Sequence, residues 1–112
     1  MPAARRITDG RAIRSLLRRG RRSKTGHLDV FDSGSPAVFS RIGLVVARHR
    51  RSAVERNRLK RRLREILRRE ILPKLERDVE VGPRDVLVRA RAEAYEASFE
   101  ELRTELLAWL EG

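Results

Sequence analysis

A run of cations between Arg56 and Arg69 stands out in this sequence. It holds eight Lys or Arg residues against one acidic residue, Glu65. Like charges three or four positions apart on a helix repel each other, so a face that only kept the protein soluble would be expected to mix both signs. The run becomes favourable when a polyanion neutralises it. It therefore favours nucleic-acid binding over simple solvation.

Arginine dominates the positive charge of the whole chain, with 24 Arg and three Lys residues. Its guanidinium group binds phosphate through two parallel hydrogen bonds and stacks on bases, which fits contact with RNA or DNA. Biased codon usage would explain the same composition equally well.

Groups that could catalyse hydrolysis are sparse. His27 and His49 are isolated, and a two-metal nuclease needs clustered carboxylates, for which Asp29, Asp32 and Asp85 are a thin candidate set. The chain has no cysteine, which excludes disulfides and cysteine-ligated zinc. We therefore expect neither a catalytic centre nor a metal site in this chain.

The cation run lies within a segment, Ser52 to Leu72, that predicts one long helix. Ser52 and Glu55 have the spacing of a capping box, and Pro73 predicts that the helix stops or kinks there. An apolar stripe at helical spacing would pack the helix against a sheet. The stripe consists of Leu59, Leu63, Ile66, Leu67 and Ile71.

A polar ladder lies on the other side of this predicted helix, since successive residues are about 100° apart around the axis. The ladder consists of Asn57, Lys60, Arg61, Arg64 and Arg68. Basic amphipathic helices also bind membrane surfaces or calmodulin, but here the apolar stripe is needed for the core. We therefore expect the ladder to face solvent.

Length predicts a single domain spanning residues 1–112, with residues 1–6 flexible and little order before Ile7. Charge is segregated along it: residues 1–69 carry 21 cations and 5 anions, whereas residues 70–112 carry 6 and 11. No apolar run approaches the roughly 20 residues of a membrane span. A signal peptide is not evident either, so we expect a cytoplasmic protein.

The other elements follow from periodicity and turn chemistry. A short helix is predicted from Asp9 to Arg19, ended by Gly20, and the last helix from Ser98, where Glu101 repeats the capping-box spacing. The segment from Arg18 to Lys24 is too polar to pack and predicts a loop, either reaching a phosphate backbone or simply solvated. Strands are predicted at His27–Phe31, Ala37–Ala47 and Asp85–Ala90, with a turn at Asp32–Pro36 and a parallel pairing across the long helix.

The predicted strand Ala37–Ala47 has two different faces. Ile42, Leu44 and Val46 point to one side, beneath the helices, while the other side is shallow because of Gly43 and Ala47. That side could be the floor of a binding cleft with Phe31 and Phe39 as walls, or a second buried face covered by the first helix.

The segment from Arg41 to Glu65 resembles the protein subunit of bacterial ribonuclease P, whose hallmark is an Arg-Asn-Arg helix followed by Lys-Arg and a further Arg. Arg56-Asn57-Arg58, Lys60-Arg61 and Arg64 match that pattern without gaps. The first helix with Gly20, and the strand ending in Arg89-Ala90-Arg91 before the Ser98 helix, extend the resemblance over nearly the whole chain.

This resemblance implies an α+β fold, a two-layer sandwich in the order α-β-β-β-α-β-α with a left-handed crossover. It also implies a protein, monomeric and one per RNA, that binds the catalytic RNA of ribonuclease P and the 5′ leader of precursor tRNA, while the RNA, with magnesium, hydrolyses the phosphodiester. The residues implied to contact the catalytic RNA are Arg56, Asn57, Arg58, Lys60, Arg61, Arg64 and Arg68, and those of the leader cleft are Ile13, Leu17, Phe31, Val45 and Arg48.

The chain departs from the family at two places. Aliphatic Ile13, Leu17 and Leu28 stand where the family often has aromatics, so leader affinity would rest on apolar contact, Phe31 and arginines. Arg51-Ser52 replaces a frequent Gly-Asn, which makes a positive φ there less expected. Two other functions remain open: a structural RNA-binding protein of ribosomal type, and a nuclease that cuts without an RNA cofactor.

Overall fold

Four strands and four α-helices alternate in the order α-β-β-β-α-β-α, with the third α-helix continuing the second. The computed structural model describes residues 5–112. The α+β class and the element order are those that the family resemblance implies. The elements are α1 (Gly10–Arg19), β1 (Arg21–Lys24), β2 (Leu28–Gly34), β3 (Arg41–Val46), α2 (Ala53–Ile66), a π-helical segment (Leu67–Ile71), α3 (Leu72–Arg77), β4 (Arg84–Ala90), a 3-10 segment (Ala92–Glu96) and α4 (Phe99–Glu111).

The sheet has the strand order β1-β2-β4-β3. β2 is antiparallel to both β1 and β4, whereas β3 runs parallel to β4, with Leu44 opposite Val88. The predicted parallel pairing across the long helix is therefore confirmed. β4, the last strand in the chain, lies in the middle of the sheet between β2 and β3.

The larger core lies between one face of the sheet and the helices α2 and α4. Leu63 on α2 and Leu102 and Leu106 on α4 are completely buried, as are Val30 and Val88 of the sheet. Ile42, Leu44 and Val46 of β3 belong to this core, as their alternation predicts. The apolar stripe of α2 therefore fixes the helix on the sheet and leaves its polar ladder outside.

A smaller core occupies the other face of the sheet, beneath α1. Ile7, Leu16, Phe31 and Leu87 are buried there. The shallow floor predicted at Gly43 is filled, because a Cβ atom added to Gly43 would lie 3.1 Å from the side chain of Ile7. The alternative of a second buried face is therefore correct for this position, although the N-terminal segment covers it together with α1.

Three predictions about the strands and the segments between them were wrong. The predicted loop Arg18–Lys24 contains the end of α1 and the edge strand β1, whose residues pair with Asp29 to Asp32 of β2. An edge strand with charged, exposed side chains buries no apolar face, so it has no alternation to detect. β2 extends through the predicted turn to Gly34, and β3 begins only at Arg41.

The long helix begins as predicted, but it does not end at Pro73. The Ser52 hydroxyl accepts a hydrogen bond from the Glu55 amide, and the Glu55 carboxylate accepts one from the Ser52 amide. At the other end, the Leu72 amide donates to the Leu67 carbonyl across a π turn, and α3 then carries Pro73 within its first turn, where its missing N–H group costs least. The helix therefore continues to Arg77.

Arg5 and Arg6 lie against the body of the protein, in contrast to the expectation of little order before Ile7. Arg6 forms a parallel β-bridge with Ile42, Ile7 donates to the Ile42 carbonyl at 2.7 Å, and Arg5 pairs with Glu76. The rest of that predicted flexible segment, residues 1–4, lies outside the described part. Within residues 5–112, none of the helices combines the length and the apolar character needed to cross a membrane.

Candidate nucleic-acid interface

The cations of α2 form one surface that the fold leaves open. Asn57, Arg58 and Arg61 are exposed, and Lys60 and Arg64 are half-buried. Within residues 5–112, no carboxylate forms a salt bridge with the cations at the centre of this helix, which are Arg58, Lys60, Arg61, Arg62 and Arg64. Their mutual repulsion is therefore uncompensated within the described chain, which is the property expected of a surface that binds a polyanion.

Cations at the two ends of the run make contacts within the protein. The Arg56 side chain donates to the Val46 carbonyl at 2.7 Å. At the other end, Glu65 pairs with Arg68 at 2.8 Å and also with Arg69. Of the predicted RNA contacts, Arg56 and Arg68 are therefore partly engaged, whereas those between them are free to bind.

A groove of about 240 Å³ lies where α2 meets the edge of the sheet. Lys60 and Arg64 stand on one side of it, Arg6 also lines it, and its apolar surface includes Ile13 and Leu44. Burial lowers the pKa of Lys60 below its ordinary value, and the neighbouring charges of Arg56, Arg64 and Arg6 lower it further. An anion in the groove would reverse this effect by stabilising the charged ammonium group.

The predicted leader-cleft residues are brought together only in part. Ile13, Leu17 and Val45 are half-buried around the smaller core, and Ile13 also lines the groove. Phe31 is 3% exposed, so its ring offers little contact surface, and the Arg89 guanidinium lies 5.0 Å from the ring centroid. Arg48 is exposed in the turn that precedes α2, three residues after Val45.

That turn, from Arg48 to Arg51, is strained. The Arg51 amide donates to the Arg48 carbonyl at 2.8 Å, and the two central residues, His49 and Arg50, have φ angles of 49° and 67°. Positive φ at both central residues is typical of a type I′ turn, whose central positions are usually Asn or Gly. Any other residue at such a position costs about 1 kcal/mol or more of conformational free energy. Arg51 and Ser52 have negative φ, as expected, so the left-handed residues lie just before them.

Sequence reasoning missed a group of side chains around Tyr95. The rings of His49 and Tyr95 meet edge to face, with centroids 6.4 Å apart, and the Arg51 guanidinium lies 5.2 Å from the Tyr95 centroid. Tyr95 also lines a shallow cleft of about 100 Å³ together with Arg58 and Arg62. The sequence carried only a weak signal, the i,i+4 spacing of the two arginines, because Tyr95 lies in the 3-10 segment, 33 residues after Arg62.

The three aspartates considered for metal-dependent cleavage are all paired with arginine. Asp29 is buried and contacts Arg22, Arg89 and Arg91; Asp32 binds Arg84 at 2.9 Å, and Asp85 binds Arg41 at 2.6 Å. In the described residues, no group of three or more His, Asp or Glu side chains is placed to hold a metal ion. These carboxylates therefore stabilise the fold.

Comparisons with known proteins agree with the geometry. A family model described as Ribonuclease P matches residues 1–112. A ribonuclease P protein component from Thermus scotoductus is 44% identical over 91 residues, 81% of this chain and 49% of that protein. Another from a Nocardioides species is 38% identical over 111 residues, 95% of this chain and 88% of that protein. The chain thus spans about half the length of its Thermus relatives.

Solved structures extend the comparison to the fold. The RNase P protein from Thermotoga maritima superposes with a TM-score of 0.75 at 28% identity, covering 95% of this chain and 94% of that one. The RNase P protein of Staphylococcus aureus gives a TM-score of 0.77 at 21% identity, covering 96% and 93%, and at that identity the likeness concerns the fold alone.

Proposed function

The chain belongs to the ribonuclease P protein family, and from this membership we propose that it is the RNA-binding protein subunit of ribonuclease P, which assists a catalytic RNA in removing the 5′ leader of precursor tRNA. The observation that carries the proposal is the row of cations on α2 that lack carboxylate partners in residues 5–112. The same row is the part of the chain that matches the family's motif.

The α2 surface would bind the catalytic RNA. Arg58, Lys60, Arg61 and Arg64 supply positive charge without having to break a salt bridge first, and Asn57 adds hydrogen-bonding capacity beside them. Because the apolar side of α2 is buried on the sheet, the backbone positions that carry these groups are fixed before the RNA arrives. Such preorganisation lowers the entropic cost of binding. Arg56 and Arg68 contribute less, since each also serves a contact within the protein.

The 5′ leader would bind along the groove and the adjoining surface of α1 and β3. Ile13, Leu17 and Val45 offer aliphatic contact there, and Arg48, exposed in the turn after β3, would bind a leader phosphate. With Phe31 buried, stacking by an aromatic ring contributes little in this region. We therefore expect the protein to bind leaders of different sequence with similar affinity, since apolar and phosphate contacts do not read base edges.

Catalysis would belong to the partner RNA. The pairing of Asp29, Asp32 and Asp85 with arginines supports this, because those carboxylates are already neutralised. These residues do not fit a protein-bound magnesium ion, and we expect any magnesium to be held mainly by the RNA. We further propose that the protein is monomeric, that one copy binds each RNA, and that it acts in the cytoplasm.

The test is cleavage of a precursor tRNA with and without an added bacterial ribonuclease P RNA, at low magnesium where the RNA alone is weak. We expect cleavage only when RNA and protein are both present. The double variant Arg61→Ala/Arg64→Ala should lose the stimulation, whereas Lys74→Ala/Arg77→Ala, which removes two exposed cations from α3, should keep it.

Other outcomes would decide between the alternatives. Cleavage by the protein alone would overturn the proposal in favour of an autonomous nuclease. Tight RNA binding without any stimulation of cleavage would favour a structural RNA-binding protein of ribosomal type, which shares the charge and the fold class but not the contiguous Arg-Asn-Arg block.

A further inference from the structure

A second surface of α2, next to the turn that precedes it, combines aromatic rings with cations. His49 is exposed and its ring meets the ring of Tyr95 edge to face. Tyr95 is held in place from two sides: its hydroxyl donates to the Ala47 carbonyl, and the Arg51 guanidinium lies 5.2 Å from the ring centroid. The exposed His49 ring is thus supported by an anchored neighbour.

The backbone keeps His49 in this position at a cost. His49 and Arg50 both have left-handed φ angles without being glycine or asparagine. Strain of this kind persists where the surrounding structure holds it, and it is concentrated at binding sites. Glycine at position 49 would relieve the strain, but it would also remove the ring.

Cations stand beside the rings. Arg58 and Arg62 lie one helical turn apart and line the shallow cleft that Tyr95 also borders. Neither forms a salt bridge in the described part of the chain. Glu55 lines the cleft as well, and its pKa is lowered by its hydrogen bond from the Ser52 amide and by Arg51. It is therefore ionised, but its charge is balanced by Arg51 at 3.2 Å.

We propose that this surface, formed by His49, Tyr95, Arg58 and Arg62, binds one unpaired RNA nucleotide, with its base stacked against the His49–Tyr95 pair and its phosphate between Arg58 and Arg62. Two arginines line this shallow cleft and a single ring borders it, which suits a phosphate group better than a buried base. The base therefore lies at the rim, on the rings.

This inference rests on the proposed function, since it assumes an RNA partner, but it adds a contact on a different side of α2 from the groove. Stacking is available to every unpaired base and unavailable to a base inside a duplex. The site would therefore distinguish a single-stranded or bulged position in the partner RNA from a regular helix, which the cation row alone cannot do.

The direct test is an NMR titration, which is simplified because the chain contains few tyrosine and histidine rings. Tyr95 is the only tyrosine, and His49 and His27 are the only histidines, so ring resonances of the isotope-labelled full chain can be followed without ambiguity by NMR. Titration with single-stranded tetra-adenylate should shift the Tyr95 and His49 ring protons upfield in a saturable manner. His27, which is tied to Glu105 on α4, provides the reference in the same spectra.

Inorganic phosphate and a short RNA duplex are the comparison ligands. Neither should reproduce the upfield shifts. If phosphate reproduced them, the surface would be an anion site without stacking, and the proposal would be overturned. The absence of shifts with tetra-adenylate would overturn it as well.

Variants at positions 49 and 50 distinguish the contribution of the His49 ring to RNA binding from that of the neighbouring positive charge. His49→Gly should raise the denaturation midpoint, because it relieves the strained φ. It should also weaken binding of ribonuclease P RNA about 5- to 150-fold, the range for one lost base–aromatic stack. His49→Phe should retain most of the affinity. Arg50→Gly relieves comparable strain and keeps the His49 ring, but it removes one positive charge. The loss of RNA affinity in Arg50→Gly should therefore vanish as salt is raised, whereas the loss in His49→Gly should persist.

The outcomes also separate this inference from the proposed function. If His49→Gly bound the RNA as tightly as the wild type while Arg61→Ala/Arg64→Ala lost binding, the nucleotide site would be refuted and the subunit role would stand. If no variant altered RNA binding and cleavage was not stimulated, both would fail.

Discussion

The Arg56 side chain donates a hydrogen bond to the Val46 carbonyl at 2.7 Å, so the first turn of α2 is tied to the end of β3. This residue belongs to the Arg-Asn-Arg block, yet part of its role is to hold the fold. The neighbouring Arg61 is exposed and lies on the same helix. Two arginines of one motif therefore differ in what their removal should change.

We expect Arg56→Ala to lower the free energy of unfolding by about 1 to 3 kcal/mol, since it leaves a carbonyl without its charged donor. Arg61→Ala should change it by less than about 0.5 kcal/mol, as is usual for an exposed side chain. Urea denaturation of both variants provides the measurement. Equal stabilities would mean that the Arg56 contact contributes nothing in solution.

The salt dependence of RNA binding should report how many cations of α2 meet phosphates. With about six contacts, log K should fall against log salt with a slope near −4 to −5. Arg61→Ala/Arg64→Ala should make that slope shallower by roughly 1.4 to 1.8, because each contact contributes about 0.7 to 0.9. A wild-type slope near −1 would contradict an electrostatic interface of this size.

Substitution of Leu63 tests which side of α2 packs against the sheet. Its side chain is completely buried between helix and sheet, and Leu63→Ala should destabilise the protein by about 2 to 5 kcal/mol through lost burial and the cavity left behind. Thermal unfolding gives the effect, with Val54→Ala as the control, because Val54 is 66% exposed on the same helix. Similar losses for both would show that the orientation of α2 is wrong.

Asp29 should make stability depend on acid pH. Burial by itself would raise its pKa, but the hydrogen bond from Arg89 and the charges of Arg22, Arg89 and Arg91 outweigh burial and lower the pKa below its ordinary value. A carboxyl whose folded pKa is lowered stabilises the protein above the unfolded pKa, and that contribution is lost as the pH falls through the folded value.

The comparison is therefore between wild type and Asp29→Asn, with unfolding midpoints measured from pH 6 down to pH 2. The wild type should be more stable near pH 6 and should lose stability more steeply as the pH falls below the pKa of an unfolded Asp side chain, about 3.9. Other carboxylates, such as Glu101, lose their own contributions in the same range, but they do so equally in both proteins. Parallel curves would mean that Asp29 is not held by the arginines.

The π-helical segment has a geometric cause that a deletion can test. Leu59, Leu63, Leu67, Ile71 and Leu75 are all buried and lie four residues apart, whereas an α-helix has 3.6 residues per turn. In a continuous α-helix the row would therefore drift by about 40° at every step. The wider π turn takes up an extra residue and returns Leu75 to the core.

Deletion of Arg69 should convert this segment to α-helix and leave the buried row aligned, so we expect a folded protein with a melting temperature within a few degrees of wild type. Deletion of Arg61 removes the same type of residue within regular α-helix, and it should rotate everything after it by about 100° and prevent folding. Circular dichroism against temperature distinguishes the two. An unfolded Arg69 deletion would refute the geometric account.

The sequence was most informative where one local interaction determines the structure. Ser52 and Glu55 predicted the start of α2 correctly because a capping box needs only two residues three positions apart. Pro73 was misleading, because the π turn before it places the proline where its missing donor does no harm. The four-residue spacing of the buried row was the signal that could have predicted this outcome.

Tertiary contacts decided the remaining differences. β1 could not be predicted because its charged residues form a strand only through pairing with β2. The space beside Gly43 was visible in the sequence, but Ile7, 36 positions earlier, fills it. Likewise, the contact between His49 and Tyr95 joins a turn to a segment more than 40 residues later, and nothing local connects the two.

The position of β4 affects how the protein can be made. β4 lies between β2 and β3, so neither of these strands has its central partner until Ala90 has been synthesised, 44 residues after Val46 ends β3. At about 5 to 20 residues per second this interval lasts roughly 2 to 9 seconds. From the synthesis of Ile66, which completes α2, to the end of the interval, α2 has no completed sheet on which to bury its leucines, while its arginines are already present beside ribosomal RNA. Early folding of this chain on the ribosome therefore takes place with cations and apolar side chains exposed together, a state in which a nearby polyanion or a chaperone would protect it from aggregation.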